Sequence, residues 1–467
     1  MSSTAGTTGT PGADQPTRTA SWPVLAWGLW DWGSAAFNAV ITTFVFSVYI
    51  TSDDFGPGAS TKLGWALAAA GVLIALLAPI TGQRADRTGR RTFWLGANTL
   101  LVVLASAGMF FVAPSPDYLW LGLGLLAAGN VFFEFASVNY NAMLASISHP
   151  GNVGKVSGLG WGLGYVGGIV LLLVVYFGLI SPEVGLFGIT GDDAMDVRVS
   201  MLVCAGWTLL FSIPVVLTHP DRRDPDAEPA PRVGLAASYR ALGATLAGLW
   251  RTDRDTVRFL VASAVFRDGL AGVFTFGAVI AASVFGFSDG GVIIFGVAAN
   301  VVAGAATIAS GSLDDRWGPK RVISISLGTI AVSGLLVFAL HDGGTTVFWV
   351  FGLLLAAFVG PAQSASRTYL ARLVPPGREG EVFGLYATTG RAVSFLAPAM
   401  FSLSILLGAA VTGSSQDDAE YFGILGVVLV VAVGLAMLLR VRPAPGDAGA
   451  SSATPLPPEH SPGGLHG

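Results

Sequence analysis

Twelve long apolar runs dominate this sequence and limit the folds that it can adopt. A helix of about 20 apolar residues crosses the roughly 30 Å hydrocarbon core of a bilayer, where the segment must satisfy its own backbone hydrogen bonds. Charged residues make up only 12% of the chain, about half the share that is typical of soluble domains. We therefore predict an all-α membrane protein with twelve transmembrane helices, at 22–50, 62–82, 92–113, 118–143, 156–180, 199–218, 257–285, 290–311, 322–340, 346–368, 382–408 and 421–440.

The second half of the sequence repeats the first. Gly82–Arg91 reads GQRADRTGRR and Gly311–Arg321 reads GSLDDRWGPKR, with two glycines, an aspartate and an arginine at matching positions. Further along each half, ASISHPGNVGKVSGLG from Ala145 aligns without a gap with ARLVPPGREGEVFGLY from Ala371. Such internal repeats are typical of membrane transporters that consist of two related bundles. The repeat therefore predicts two pseudo-symmetric six-helix bundles.

Composition divides the chain further. Both ends are rich in Ser, Thr, Gly, Pro and Ala, which predicts disordered tails. The segment between the halves begins with Pro, Asp and Arg and then has the pattern of a short amphipathic helix at Val233–Trp250. We interpret it as a connector, although its arginines are also suited to binding anionic lipid. The predicted parts are a tail at 1–20, an N-terminal bundle at 21–218, a linker at 219–255, a C-terminal bundle at 256–442 and a tail at 443–467.

Basic residues are distributed unequally between the two sides of the predicted membrane. Of the 25 Lys and Arg residues, only Lys62 and Arg198 fall in loops that follow odd-numbered spans. Cytoplasmic loops carry an excess of Lys and Arg. Both termini and the linker are therefore predicted to be cytoplasmic, and we expect an integral multi-pass protein of the bacterial inner (plasma) membrane.

Several motifs indicate a family. The repeated loop has the form G-x-x-x-D-R-x-G-R-R, and further segments read AWGLWDWGSAAFNAVITTFVF in span 1, VNYNAML in span 4, VSGLGWGLGYVGG in span 5 and QSASRTYLARLVPPGREGEVFGLY across spans 10 and 11. Together with the two halves and the linker, they resemble the vacuole-effluxer-like branch of the major facilitator superfamily, which is named for an autophagy-related fungal exporter of amino acids. The resemblance implies the major facilitator fold, with spans 1, 4, 7 and 10 around a central cavity and span 11 beside it. It does not imply a particular cargo.

The repeated loop motif is a candidate conformational latch. A carboxylate at this position can bind the free amides at a helix N-terminus and pair with a cation, and the glycines permit a tight reversal. The resemblance implies that this contact holds the halves in the outward-open state. The alternative is that the arginines only set the membrane orientation. The candidate latch residues are Gly82, Asp86, Arg87, Gly89, Arg90, Arg91, Asp315, Arg316 and Gly318.

Ionisable side chains inside the spans are candidates for a substrate or proton pathway, because a charge at the bilayer centre costs roughly 2.5 to 3.5 kcal/mol. Polar residues one or two helical turns from them share their faces. Arginine can bind a carboxylate and an acid can accept an ammonium group, while a buried carboxyl group is a candidate proton carrier. The alternative is that the charges only pair with one another as gates. The candidates are Asp31, Ser34, Asn38, Glu134, Asn141, Arg267, Asp268, Gln363, Arg367 and Arg391.

These features predict a secondary transporter of a small polar or zwitterionic, amino-acid-like solute. We expect it to work by alternating access and to couple export of the solute to a proton gradient. The alternative is a membrane receptor or scaffold that kept the fold and lost transport. We predict no enzymatic activity, no cofactor, no metal and no nucleic-acid partner. The expected partners are the solute, protons and lipid, and the expected state is a monomer. Cys204, the lone cysteine, lies among apolar residues and is expected to be an inert buried thiol.

Overall fold

The computed structural model describes residues 21–221, 235–374, 377–416 and 418–442. The predicted tails at 1–20 and 443–467, and the middle of the predicted linker, lie outside these ranges. Within them the chain is helical and contains no β-strand. This confirms the prediction of an all-α protein.

Among the described residues, twelve helical segments are long and apolar enough to cross a membrane, which agrees with the predicted number. These segments are defined by their length and apolar composition alone. We call them spans 1 to 12: Trp22–Tyr49, Thr61–Thr88, Arg91–Phe111, Pro116–Ile147, Val153–Ile180, Asp192–Thr218, Arg254–Ser283, Ile294–Trp317, Pro319–Ala339, His341–Leu373, Glu379–Thr412 and Glu420–Leu439.

The most extensive packing between the first six spans and the last six lies along two crossings. Span 2 packs along span 11, and span 5 packs along span 8. Glycines permit both approaches: a Cβ on Gly82 would lie 1.9 Å from the Gly380 carbonyl oxygen, and a Cβ on Gly311 would lie 2.7 Å from that of Gly154. We call the end of the bundle that carries the repeated loops the inner end, following the predicted orientation. Both glycine crossings lie towards this end.

Span 1 contains a wide turn that the sequence reading did not anticipate. An α-helix covers Trp22–Ala36, and a π-helix follows at Phe37–Phe44. The hydroxyl groups of Thr42 and Thr43 donate to carbonyls five residues earlier, at distances of 3.0 and 2.7 Å. π-Helical turns of this kind are rare and are found at functional sites. The α-helical register that placed Asn38 on the face of Asp31 therefore ends at Phe37.

Span 11 was predicted as one helix at 382–408, but it is broken. One helix covers Glu379–Ala392 and a second covers Leu396–Thr412. Pro398 lies in the first turn of the second helix, where its missing N–H does no harm, whereas a continuous helix would need that N–H and would clash with the proline ring. At the break, the amides of Ser394 and Leu396 bind carbonyls three residues earlier, and the amide of Ala397 binds a side chain of span 7.

A short helix at Leu235–Thr252 precedes span 7, close to the predicted Val233–Trp250. The Tyr239 hydroxyl donates a 2.7 Å hydrogen bond to the carbonyl of Leu76 in span 2. Pro79, inside span 2, cannot donate to the Ala75 carbonyl. That carbonyl instead accepts the Thr388 hydroxyl of span 11 at 2.9 Å. Pro79 therefore leaves one acceptor in span 2 for span 11, and the linker helix binds the next carbonyl along the chain.

Candidate functional site

The Asp86 carboxylate joins the inner ends of the two halves. It accepts hydrogen bonds from the amides of Gly380, at 3.0 Å, and Glu381, at 2.8 Å, which open the first helix of span 11. Arg91 donates to the same carboxylate at 2.7 Å and also pairs with Glu379. The Asp86 side chain is only 5% exposed. One carboxylate thus binds a helix N-terminus in the second half and a cation in the first.

The second copy of the loop makes the reciprocal contact. Asp315 accepts hydrogen bonds from the amides of Gly154, at 2.7 Å, and Lys155, at 3.1 Å, which open span 5. Arg372 of span 10 lies 3.6 Å from the same carboxylate. In the repeat, Gly154 corresponds to Gly380 of span 11. Each half therefore binds the other through the same pair of repeated segments.

The remaining candidate latch residues shape or flank these contacts. Gly89 and Gly318 end their helices with φ of +62° and +84°, a backbone conformation that side chains disfavour. The Arg90 guanidinium lies 4.8 Å from the centre of the Phe93 ring. The side chains of Arg87 and Arg316 are exposed.

Arg367 of span 10 reaches across the boundary into the first half. Its guanidinium donates to the Ser157 hydroxyl at 3.0 Å, to the Ser157 carbonyl at 2.6 Å and to Asn141 Oδ1 at 3.1 Å. Asp31 Oδ2 lies 3.5 Å from Arg367 Nη1. The Arg367 side chain is 4% exposed. All four acceptors belong to spans 1, 4 and 5.

Three aromatic rings, which the sequence reading did not single out, surround the same guanidinium. Its central carbon lies 5.0 Å from the ring of Trp27, 5.7 Å from that of Tyr140 and 5.8 Å from that of Trp161. The Tyr140 hydroxyl also donates to Asp31 at 2.8 Å. Aromatic faces attract cations. The four tryptophans of span 1 and the single Trp161 of span 5 were the available signal in the sequence.

Glu134 and Arg391 form another charge pair between the halves. The Glu134 carboxylate of span 4 accepts a hydrogen bond from Arg391, which lies in the last turn of the first helix of span 11. Asn130 lies 3.4 Å from the same guanidinium. The side chains of Glu134 and Arg391 are 22% and 34% exposed. This pair is therefore more accessible than Arg367.

Arg267 and Asp268 of span 7 face different partners in the second half. The Arg267 guanidinium lies 3.8 Å from the centre of the Tyr386 ring and donates to the Tyr386 carbonyl at 3.1 Å. The Asp268 carboxylate accepts the amide of Ala397, at the start of the second helix of span 11. Asp268 therefore caps the helix that follows the break.

The uncharged candidates are spread more widely than their helical spacing indicated. Asn141 binds Arg367 across the boundary, not Glu134 on its own span. Ser34 is buried, and Asn38, inside the π-helix, is exposed. Gln363 is partly exposed, one turn before Arg367. Asp31 and Glu134 pair with different arginines, Arg367 and Arg391.

A cavity of about 1010 Å³ lies in the outer half of the bundle. Both halves line it, mainly with apolar and aromatic side chains, including Phe44, Tyr176 and Phe276; Asn300 is one of its few polar groups. At the inner end, the Asp86 and Asp315 contacts hold the halves together. Polar contacts therefore join the halves at the inner end, and a cavity that both halves line lies towards the outer end. Within the described residues, no cluster of His, Cys, Asp or Glu is arranged to hold a metal ion.

Comparisons with known proteins place this architecture among transporters. A family model described as vacuole effluxer Atg22 like matches residues 66–448. The chain is 27% identical over 421 residues to the Bacillus subtilis protein named uncharacterized MFS-type transporter YxiO, covering 89% of this chain and 94% of that protein. It is 24% identical to autophagy-related protein 22 of Yarrowia lipolytica, over 68% of this chain and 56% of the relative. The chain thus spans about half the length of this fungal relative.

Solved structures share the fold at low sequence identity. The proton:xylose symporter XylE matches with a TM-score of 0.68 and 15% identity, covering 90% of this chain and 96% of that one. A bacterial homologue of the iron transporter ferroportin in an outward-facing state matches with a TM-score of 0.63 and 16% identity, over 90% and 98% of the two chains. These similarities show a common fold and carry no information about cargo.

Proposed function

This chain belongs to the vacuole effluxer Atg22-like family of major facilitator transporters, and we propose that it exports a small zwitterionic, amino-acid-like solute by alternating access, driven by a proton gradient. The observation that carries the proposal is the pairing of charges across the two halves. Arg367 meets Asp31, and Arg391 meets Glu134. Each of these two pairs breaks when the halves separate at the position of the pair. Buried charges must then find new partners, and a charged solute or a proton supplies them.

The reciprocal latch supports alternating access. Asp86 and Asp315 each bind the N-terminus of a helix in the opposite half. These charge-assisted hydrogen bonds exist only while the inner end is closed. Both sets of hydrogen bonds are lost when the inner end opens. The free energy of solute and proton binding must therefore offset this loss.

The chemistry of the Glu134–Arg391 pair supports a zwitterionic solute. A guanidinium at the C-terminal end of a half-helix can bind a carboxylate, and a carboxylate nearby can accept an ammonium group. Both side chains are partly exposed, which favours contact with a solute. A proton on Glu134 weakens its hold on Arg391. We propose this step as the coupling between proton entry and solute release.

Orientation and direction complete the proposal. The excess of Lys and Arg in the loops at the inner end favours the cytoplasmic side for that end and for both termini. A bacterial plasma membrane with a proton gradient directed inward then supplies the driving force for export. The family is described as effluxer-like, which agrees with this direction.

Counterflow in proteoliposomes tests the proposal. Purified protein is reconstituted with a pool of unlabelled amino acids, and uptake of each labelled amino acid is followed with and without an imposed pH gradient. We expect exchange of at least one amino acid without a gradient and net movement with it. If none of the amino acids moves while a partner protein co-purifies from the membrane, the chain is a scaffold and not a carrier.

A further inference from the structure

We propose that Trp27, Tyr140, Trp161 and Asp31 form a binding site for the guanidinium or ammonium group of a solute, and that Arg367 occupies this site as an internal substitute while the inner end is closed. The inference rests on the proposed alternating access, because the site becomes free only when the halves separate. We call these four residues, with Ser157 and Asn141, the cation cage.

The cation cage belongs entirely to the first half. Its members lie on spans 1, 4 and 5, whereas Arg367 lies on span 10. A movement of one half against the other therefore withdraws the guanidinium and leaves the cage intact.

Contacts within the first half hold the cage in shape without Arg367. The rings of Trp27 and Tyr140 stack with centres 4.3 Å apart, and Trp27 Nε1 donates to the Tyr140 carbonyl at 3.1 Å. The Tyr140 hydroxyl fixes Asp31. A Cβ on Gly160 would lie 2.8 Å from Trp27, 2.8 Å from Tyr140 and 3.0 Å from Asp31. The glycine thus leaves the space that these three side chains need, and the site is preorganised.

The acceptors of the cage match a planar cation with several donors. Arg367 uses Nε, Nη1 and Nη2, and each of them meets an oxygen of Ser157 or Asn141. The aromatic faces and the Asp31 carboxylate supply the negative potential. Among the described residues, the buried Trp161 Nε1 has no hydrogen-bond partner. This donor remains for a carbonyl or carboxylate of the solute.

Withdrawal of Arg367 leaves the cation cage without a cation. Asp31 would then keep the Tyr140 hydroxyl but lose its cation, and a buried charge without a counter-charge is costly. An organic cation that enters from the inner side restores the balance. When the inner end closes again, Arg367 competes for the same oxygens and expels the ligand. Cation binding and inner closure are therefore mutually exclusive at this position.

Chemical rescue tests the cage directly. Arg367→Ala empties it in every conformation, and methylguanidinium is compared with methylurea, its neutral isostere. We expect methylguanidinium to raise the melting temperature of purified Arg367→Ala protein in a saturable way, with methylurea at least about 10-fold weaker because it lacks the charge. The effect should disappear in Arg367→Ala with Asp31→Asn. Folded Arg367→Ala protein that does not bind methylguanidinium would overturn the proposal.

A second measurement keeps the native arginine, in case Arg367→Ala does not fold. Ser364, 2% exposed and bonded to Ser157 across the boundary, is changed to Cys in a Cys204→Ser background. Arginine should speed maleimide labelling of this cysteine by favouring the inner-open state, and citrulline, which replaces the guanidinium by a neutral ureido group, should not. Equal effects of the two would also overturn the cage.

The two proposals fail separately. If methylguanidinium binds but no solute moves in counterflow, the cage stands and the transport proposal falls. If other solutes move and neither cation probe acts, the transport proposal stands and the cage falls.

Discussion

Asp86 and Gly380, on spans 2 and 11, are joined by a 3.0 Å hydrogen bond from the Gly380 amide to the Asp86 carboxylate. Asp315 and Gly154 repeat the arrangement at 2.7 Å on spans 8 and 5. The loop repeat and the helix-start repeat are thus two parts of one contact, made twice in opposite directions.

The latch should hold the inner end closed. Asp86→Asn removes the charge and turns one acceptor into a donor that faces backbone amides. A hydrogen bond to a charged group contributes about 1.5 to 3 kcal/mol. We therefore expect Asp86→Asn to increase the rate of maleimide labelling of Ser364→Cys, in the Cys204→Ser background, by a factor of about 10 or more over the parent. Arg84→Gln, an exposed change in the same loop, is the matched control. Equal labelling of the two variants would remove Asp86 from this role.

Close approach of spans 2 and 11 should depend on Gly82. Gly82→Ala would place a methyl group 1.9 Å from the Gly380 carbonyl oxygen, so the spans must separate. Gly71→Ala in the same span meets nothing within 4 Å, and both changes carry the same gain of about 1 kcal/mol in helix propensity. We expect Gly82→Ala to label faster at Ser364→Cys and Gly71→Ala to behave like the parent. Identical behaviour would show that the crossing tolerates the methyl group.

Glu134 should carry the proton that couples transport. Glu134→Gln keeps the shape of the side chain but can neither take up nor release a proton. We therefore expect pH-gradient-driven uptake to fall at least about 10-fold, while counterflow without a gradient persists. Glu183→Gln, an exposed acid on the outer side, should leave both intact. Unchanged dependence on the pH gradient in Glu134→Gln would assign the proton to another group.

Asp268 should act on stability more than on transport. Asp268→Ala removes the cap of the helix at Leu396–Thr412 and should cost about 0.5 to 2 kcal/mol, visible as a lower melting temperature. Asp268→Asn retains an oxygen that accepts the Ala397 amide and should melt near the parent. We expect the KM for the transported solute to be the same in Asp268→Asn and the parent. A large rise in KM in Asp268→Asn would contradict this prediction and show that Asp268 contributes to solute binding.

The helical class and the number of spans follow from the length and composition of the apolar runs, which report directly on burial in lipid. The break in span 11 was missed because Val393 to Leu396 is as apolar as a continuous helix, and only Pro398 signals it. The π-helix in span 1 was missed because a few hydroxyl contacts across five residues do not change hydropathy.

By itself, the sequence determined that this chain is a duplicated twelve-span membrane protein, because apolar length and internal repetition are local properties. The tertiary structure alone decided the partners of the buried charges: Asp31 meets Arg367 and not Glu134, and Asp268 caps a helix within its own half. Helix rotation and the crossing of distant spans set these pairings. A shift of one residue turns a side chain by about 100°, so spacing along one span cannot assign its partner on another.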